Sequence, residues 1–265
     1  MKRAKIKPIV ESSTEPQNKN VIWKDGDNYK KSEDGEWNKA GSGNKYDDTE
    51  YVKYAYTDLS KLPQDWKFTP RTGDNATQLF SWASGDFSRD LDLSNVTSLY
   101  ECFSGYKGSV IDLKNVTFPS TSVSVNEMFN NSKAEKIIVA GKTPLKPTEW
   151  EAPFSYCTNL TYLDLSGVDT TDLTYFAKDF SRCTKLTDLI LGESFGYAKV
   201  NFGPDFQSLT NWTNDTVKTS LFALYDRAAN GLPTLTITLS ANTYNVLSED
   251  DIATLTARGY SLVHY

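Results

Sequence analysis

Carboxylates are the commonest candidates for chemistry in this chain of 265 residues. Asp90 with Asp92, and Asp172 with Asp179, could be weighed as the two opposed acids of a glycosidase. Such acids are common on any acidic solvated face, and no spacing singles one pair out. Asp25, Asp27 and Glu36 fall on the first, third and twelfth positions of a calcium loop. That loop fails where Tyr29 and Lys30 replace an oxygen ligand and a glycine. The sole histidine, His264, sits beside the C-terminus and gives no credible triad. Cys102, Cys157 and Cys183 are too few and too unevenly placed for a disulfide framework, and no closely spaced ligand pair supports zinc. Cys157 and Cys183 are 26 residues apart, so a disulfide is conceivable, but a column of buried free thiols suits the spacing better. Catalytic, cofactor-binding and metal sites are expected to be absent, and the chain is read as no enzyme.

The elements that position these residues repeat. Leu163 to Leu189, LDLSGVDTTDLTYFAKDFSRCTKLTDL, opens on one aliphatic-x-aliphatic triplet and ends at the start of another. Comparable starts are Leu91, Ile111, Ile137, Leu163 and Leu189, spaced 20, 26, 26 and 26. In IIVAGK either Ile137 or Ile138 could hold the leading slot. A second column, Phe80, Phe103, Phe129, Phe154 and Phe180, recurs at 23, 26, 25 and 26. Two columns in phase at this period indicate a solenoid, in which no unit buries its apolar face alone. Strand side chains alternate, so Leu163 and Leu165 are expected inside and Asp164 outside. Leu173, Phe176 and Phe180 have spacings near three and four, which predicts a helical turn or short helix. Leu163, Leu165, Phe176, Phe180 and Leu186 should share one core.

This pattern resembles the BspA-type leucine-rich repeat of bacterial surface proteins. Asp169, Thr170, Thr171, Leu173, Phe176, Phe180, Cys183 and Leu186 occupy its slots, and FSYCTNLTYLDLS, from Phe154 to Ser166, matches closely too. Around Met128 and Phe129 the cysteine is missing, and at Glu101-Cys102-Phe103 it is displaced. The resemblance covers roughly residues 76 to 240. It implies an α/β solenoid of leucine-rich repeats, each about 26 residues of strand, loop and short helix, and says little about function.

Composition agrees with a folded chain: 38% hydrophobic and 23% charged residues with a net charge of −6. The acidic balance argues against nucleic acid as a partner, since phosphate contacts need a basic face. No apolar run is long enough for a membrane span. The seven Asn-x-Ser/Thr triplets, Asn95, Asn115 and Asn159 among them, follow from repeated turns. Lys2, Arg3, Lys5 and Lys7 form the only basic run; it reads as a solvated terminus or as a docking segment for an acidic partner. The opening MKRAKIKPIVESSTEPQNKN has basic residues followed by Pro8, acids and amides rather than an apolar segment, so no ordinary secretory signal is expected.

Residues 19–42 differ from the repeats. Asp25-Gly26 and Asp34-Gly35 are turn dipeptides, and Trp23, Tyr29 and Trp37 fall on the flanking segments. This predicts a hairpin or three-strand meander packed through those rings. The segment is also similar to tryptophan-containing modules near the N-termini of tailed-phage fibre and appendage proteins, through Glu15, Pro16, Asn18, Asn20, Val21, Ile22, Trp23, Gly35 and Trp37. At the other end, TLTITLS reads as a terminal strand through Leu235, Ile237 and Leu239. Ser248 with Asp251 approximates a capping box, and Leu247 and Ile252 are the staple around it. A helix over roughly 249–257 should stop near Gly259, before a last strand, YSLVHY.

The expected organisation is an extended or disordered arm (1–18), a β-hairpin anchoring module (19–42), a cap or linker (43–75), the repeats (76–240) and a helix-strand cap (241–265). The resemblances imply a non-enzymatic bacteriophage virion protein, a head or tail fibre or decoration. Its N-terminus would dock on a capsid or tail protein, with Trp23, Tyr29 and Trp37 as the anchoring module. Its repeats would adhere to a host surface protein or glycan, and a homo-oligomer such as a trimer is in keeping with phage fibres. A bacterial cell-surface adhesin is the alternative, and a carbohydrate-active enzyme the third. A binding face is expected on the sheet, at Asp92, Asp112 and Asp164, although these carboxylates would equally serve to keep that face solvated.

Overall fold

The computed structural model describes residues 58–61, 75–177, 180–196 and 205–265, together with the backbones of four strands that precede them. Those strands are β1 (Ile9–Glu11), β2 (Ile22–Asp25), β3 (Asn28–Glu33) and β4 (Glu36–Lys39). β2, β3 and β4 form an antiparallel meander, with Asp25 opposite Asn28 and Glu33 opposite Glu36. Each pair of strands is thus separated by two residues, including the predicted turn glycines. β1 joins β2 in parallel. The remainder of residues 1–42, nearly all of 43–75, and the side chains of Trp23, Tyr29 and Trp37 lie outside the described residues.

From residue 75 onward the chain advances by stacking one copy on the next. In order come β5 (Leu91–Asp92), β6 (Val110–Asp112), β7 (Val116–Thr117), β8 (Val123–Ser124) and β9 (Lys136–Ile138). They are followed by β10 (Pro147–Glu151), β11 (Tyr162–Leu165), β12 (Tyr175–Ala177), β13 (Asp188–Leu191) and β14 (Asp205–Phe206). β6, β9, β11 and β13 make one parallel sheet in which Ile111, Ile137, Leu163 and Leu189 are mutual partners. Ile137, not Ile138, therefore holds the leading slot. Ile137 and Val139 belong to the core cluster, while Ile138 is buried outside it. β8, β10 and β12 form a second parallel sheet.

Two expectations are corrected here. Leu91 does not align with Ile111: it pairs with Val116, 25 residues on, and the partner of Ile111 is Phe87. The odd spacing of 20 compared two different strands. Phe87 escaped notice because the next inward slot holds Arg89, whose guanidinium donates to the Leu59 carbonyl at 3.0 Å instead of extending an aliphatic alternation. Around Tyr175 the backbone is extended rather than helical, with Trp150 opposite Phe176. The spacings of three and four among Leu173, Phe176 and Phe180 thus arise without a helical turn at Tyr175–Ala177. β12 takes its backbone partner from the preceding copy, which a helix could not do.

Core positions recur in register. Phe80, Phe103, Phe129, Phe154, Phe180 and Phe206 form a continuous ladder, with ring centroids 5.0, 5.8, 5.4, 5.6 and 5.3 Å apart. The three central steps are near-parallel, at 14°, 6° and 11°, within the range where aromatic pairs add to simple burial. Leu163, Leu165, Phe180 and Leu186 are all buried; the side chain of Phe176 lies outside the described residues. The three cysteines are buried free thiols. Cys157 donates to the Phe129 carbonyl and Cys183 to the Phe154 carbonyl, each at 3.0 Å. Burial pushes the Cys102 and Cys157 thiols well above the usual range.

The stack ends in a change of element. α1 (Thr216–Ala223) lies against β13, where the hydroxyl of its Ser220 accepts from the Leu191 amide at 3.2 Å and donates to the Leu189 carbonyl at 2.6 Å. One side chain thereby satisfies edge groups that another strand would have met. Then follow β15 (Leu235–Leu239), α2 (Ala241–Tyr244), α3 (Glu249–Ala257) and β16 (Tyr260–His264). β14, β15 and β16 form a parallel sheet. α3 starts on a reciprocal capping box: the Ser248 hydroxyl accepts from the Asp251 amide, and the Asp251 carboxylate accepts from the Ser248 amide. Among the described residues no helix is long and apolar enough to cross a membrane.

Candidate functional site

The three aspartates expected to form a binding face do not lie in one row. Asp112 and Asp164 flank Ile138 in the main sheet, whereas Asp92 lies opposite Thr117 in a separate pairing. Each instead does the same local job. The Asp92 carboxylate accepts from the Ser94 amide at 2.9 Å, Asp112 from Lys114 at 3.0 Å and Asp164 from Ser166 at 2.9 Å. This is the turn in which an aspartate side chain mimics backbone two residues on. All three are half-buried, because the carboxylate folds back onto its own chain; Asp164 still lies on the outer face that alternation predicts, between the buried Leu163 and Leu165.

The other candidate acids are dispersed. Asp90 pairs with Lys142 at 2.5 Å, and Asp172 accepts from the Ser122 hydroxyl at 2.6 Å. Asp25, Asp27, Glu36 and Asp179 have no described side chains. His264 stacks on Tyr244 with ring centroids 4.0 Å apart, which gives it an ordinary packing role at the end of β16. Among the described residues no three His, Cys, Asp or Glu side chains gather as a metal site.

A different column faces outward. Two residues after each of the first five ladder phenylalanines the backbone is left-handed: Trp82 at φ 60°, Gly105 at 66°, Asn131 at 56°, Tyr156 at 64° and Arg182 at 65°. The turn is repeated because each copy hydrogen-bonds to the next. The amides of Trp82, Gly105, Asn131 and Tyr156 donate to the carbonyls of Ser104, Asn130, Ser155 and Ser181 at 2.7–2.9 Å. Glycine and asparagine suit this conformation, whereas other residues meet a penalty of about 1–2 kcal/mol. Two copies use the cheap residues, and three place Trp, Tyr and Arg there. Trp82 is 38% exposed and Tyr156 49%, so at both of these strained positions a large part of the ring stands open to solvent.

Cations accompany these rings. Lys107 lies over Trp82 with its ammonium 5.9 Å from the ring centre, and the Arg182 guanidinium lies 5.5 Å from that of Tyr156. The same indole rests on Gly105, where a side-chain carbon would come within 2.6 Å of the ring. Lys133 donates to Asn131 at 2.8 Å, and Lys185 to Asn159 at 3.4 Å. Lys107, Lys133, Asn159 and Lys185 are themselves 26 residues apart and form one row. Among the described residues none of Lys107, Lys133, Arg182 and Lys185 forms an ion pair, and all four are exposed.

Acids sit at the other end of the same turn. Four residues before the outward column, Gln78, Glu101, Glu127 and Ala152 are also left-handed. Gln78 donates to Glu101 at 2.5 Å. Hydrogen bonding to Glu101, with burial and the nearby Glu127, pushes the Tyr100 phenol up to about 12. On the main sheet Lys136 lies 4.6 Å from the ring centre of Tyr162. Burial first, then Asp164 and Asp188, raises the Tyr162 phenol. Sequence reasoning found the phenylalanine column but missed the ridge beside it. Its signal was present in FSW, FSG, FNN, FSY and FSR, whose third position varies while the first is constant. No family model, curated protein or solved structure matches the chain.

Proposed function

We propose that the chain is a non-enzymatic structural protein of a bacteriophage virion, a head or tail fibre or decoration. Its N-terminal segment attaches to a capsid or tail protein, and a solenoid of leucine-rich-repeat type is displayed for adhesion at the host surface. The observation that carries the displayed half of this reading is the outward ladder, in which exposed Trp82, Tyr156 and Arg182 occupy strained turn positions that glycine or asparagine would fill at less cost. The anchoring half rests on residues 15–37 and their similarity to phage appendage modules; β2 to β4 supply the compact meander on which Trp23, Tyr29 and Trp37 are carried.

Deleting residues 1–42 tests the assignment of roles. The truncated chain is expected to remain soluble and folded but to be missing from purified particles, while the full chain co-purifies with them. A truncated chain that still joins particles refutes the anchor. A full chain never found on particles favours the surface-adhesin alternative, which uses the same ridge without the same attachment.

A further inference from the structure

We infer that the ridge formed by Trp82, Lys107, Lys133, Tyr156, Arg182 and Lys185 is a binding strip for a linear anionic polysaccharide lying along the stack. This deepens the adhesion reading above and rests on it. The first ground is charge. The chain as a whole carries −6, yet these four cations are exposed and make no ion pair among the described residues. Lys107, Lys133 and Lys185 share one row, with Asn159 in the remaining place. The acids of the same turn, Glu101 and Glu127, are held four residues earlier. Glu135 is exposed two residues after Lys133, which leaves the row predominantly positive.

Geometry supplies the second ground. Successive rungs of stacked parallel strands are about 5 Å apart, so Lys107, Lys133 and Lys185 place positive charge on the first, second and fourth of four successive rungs, with Asn159 on the third. A polymer with repeated carboxylate or phosphodiester groups can meet such a row without bending. The third ground is the pair of exposed rings. Trp82 and Tyr156 stand three rungs apart, where each can contact the apolar face of a sugar while its cationic neighbour meets an acidic substituent. A single-stranded nucleic acid needs rings for successive bases, and here the rungs between the two rings carry Gly105 and Asn131. An acidic polypeptide offers the charge but no flat apolar face for the rings.

The test uses the purified full-length chain in calorimetric titrations against polygalacturonate and hyaluronate, with neutral amylose, poly-glutamate and oligo-dT alongside. Binding is expected to at least one of the two anionic glycan-type polymers and to weaken as salt is raised. It should fall at least tenfold in K107Q/K133Q/K185Q and again in Tyr156→Asn, which keeps a residue suited to the left-handed turn. Thermal unfolding of both variants should be unchanged or, for Tyr156→Asn, raised, which separates loss of binding from loss of fold.

No binding to either anionic polymer overturns the inference, as does equal binding to amylose or binding untouched by the variants. Tighter binding to poly-glutamate or oligo-dT overturns it in favour of a protein or nucleic-acid partner. Because the titration involves no particles, its failure leaves the N-terminal attachment standing, and absence from particles leaves the ridge standing.

Discussion

Asp164 shows how one side chain can be placed correctly in sequence and still be misjudged in role. Alternation puts it on the outer face between Leu163 and Leu165, where it is found, but its carboxylate accepts from the Ser166 amide and so serves the turn. Asp164→Ala should therefore destabilise the fold by about 1 kcal/mol through a lost hydrogen bond, measured by urea unfolding, and leave polymer binding unchanged. Asp164→Asn, whose side-chain carbonyl accepts the same bond, should recover most of the loss. Ligand binding that falls in Asp164→Ala without any change in stability would return this residue to the binding surface. Turn chemistry of this kind is visible in LDLSG only once the strand is known to end there. The exposed ridge was harder to read, because what marks it is a backbone conformation and not a residue type. Tryptophan, tyrosine and arginine share no pattern until φ at 82, 156 and 182 is known.

At the scale of elements, local signals with a short reach were legible. Ser248, Asp251 and Gly259 delimit α3 because capping chemistry is complete within a dozen residues. β12 was not legible, since extended backbone there is stabilised by partners about 26 residues away, and spacing alone cannot tell such a strand from a helical turn. Phe87 failed for a related reason, with Arg89 breaking the aliphatic alternation. The α3 cap makes a pH prediction. The bond from Lys218, followed by those from Ser248, pulls the Asp251 carboxyl from 3.8 down to about 2. A lowered carboxyl contributes stability that is present above its ordinary range and disappears as pH falls through the folded value. Thermal unfolding followed between pH 5 and pH 2 should show the midpoint falling below about pH 4. Asp251→Ala should start lower and vary less across that window; an equal slope in both proteins would remove Asp251 from the effect.

Taken whole, the molecule is held by rows that cross copies, and the phenylalanine ladder is the longest of them. Phe129 stacks on Phe103 and on Phe154, so Phe129→Ala removes two ring contacts and opens a cavity at mid-stack. The expected cost is about 3–5 kcal/mol, read from denaturant unfolding. Hydrogen exchange should rise first in β8 to β10, on either side of the gap, because each copy depends on its neighbours. Exchange that rises uniformly from residue 75 to residue 265 would show that the array unfolds only as a unit.

The repeated pairing of Ile111, Ile137, Leu163 and Leu189 also makes length a countable property of the gene. An in-frame duplication of residues 164–189 would insert one more rung between surfaces that already fit each other, while the Ser220 closure would move outward intact. The product should be longer by about 5 Å. Descendants of such a chain could change their reach by recombination alone, without inventing a new fold or a new ending.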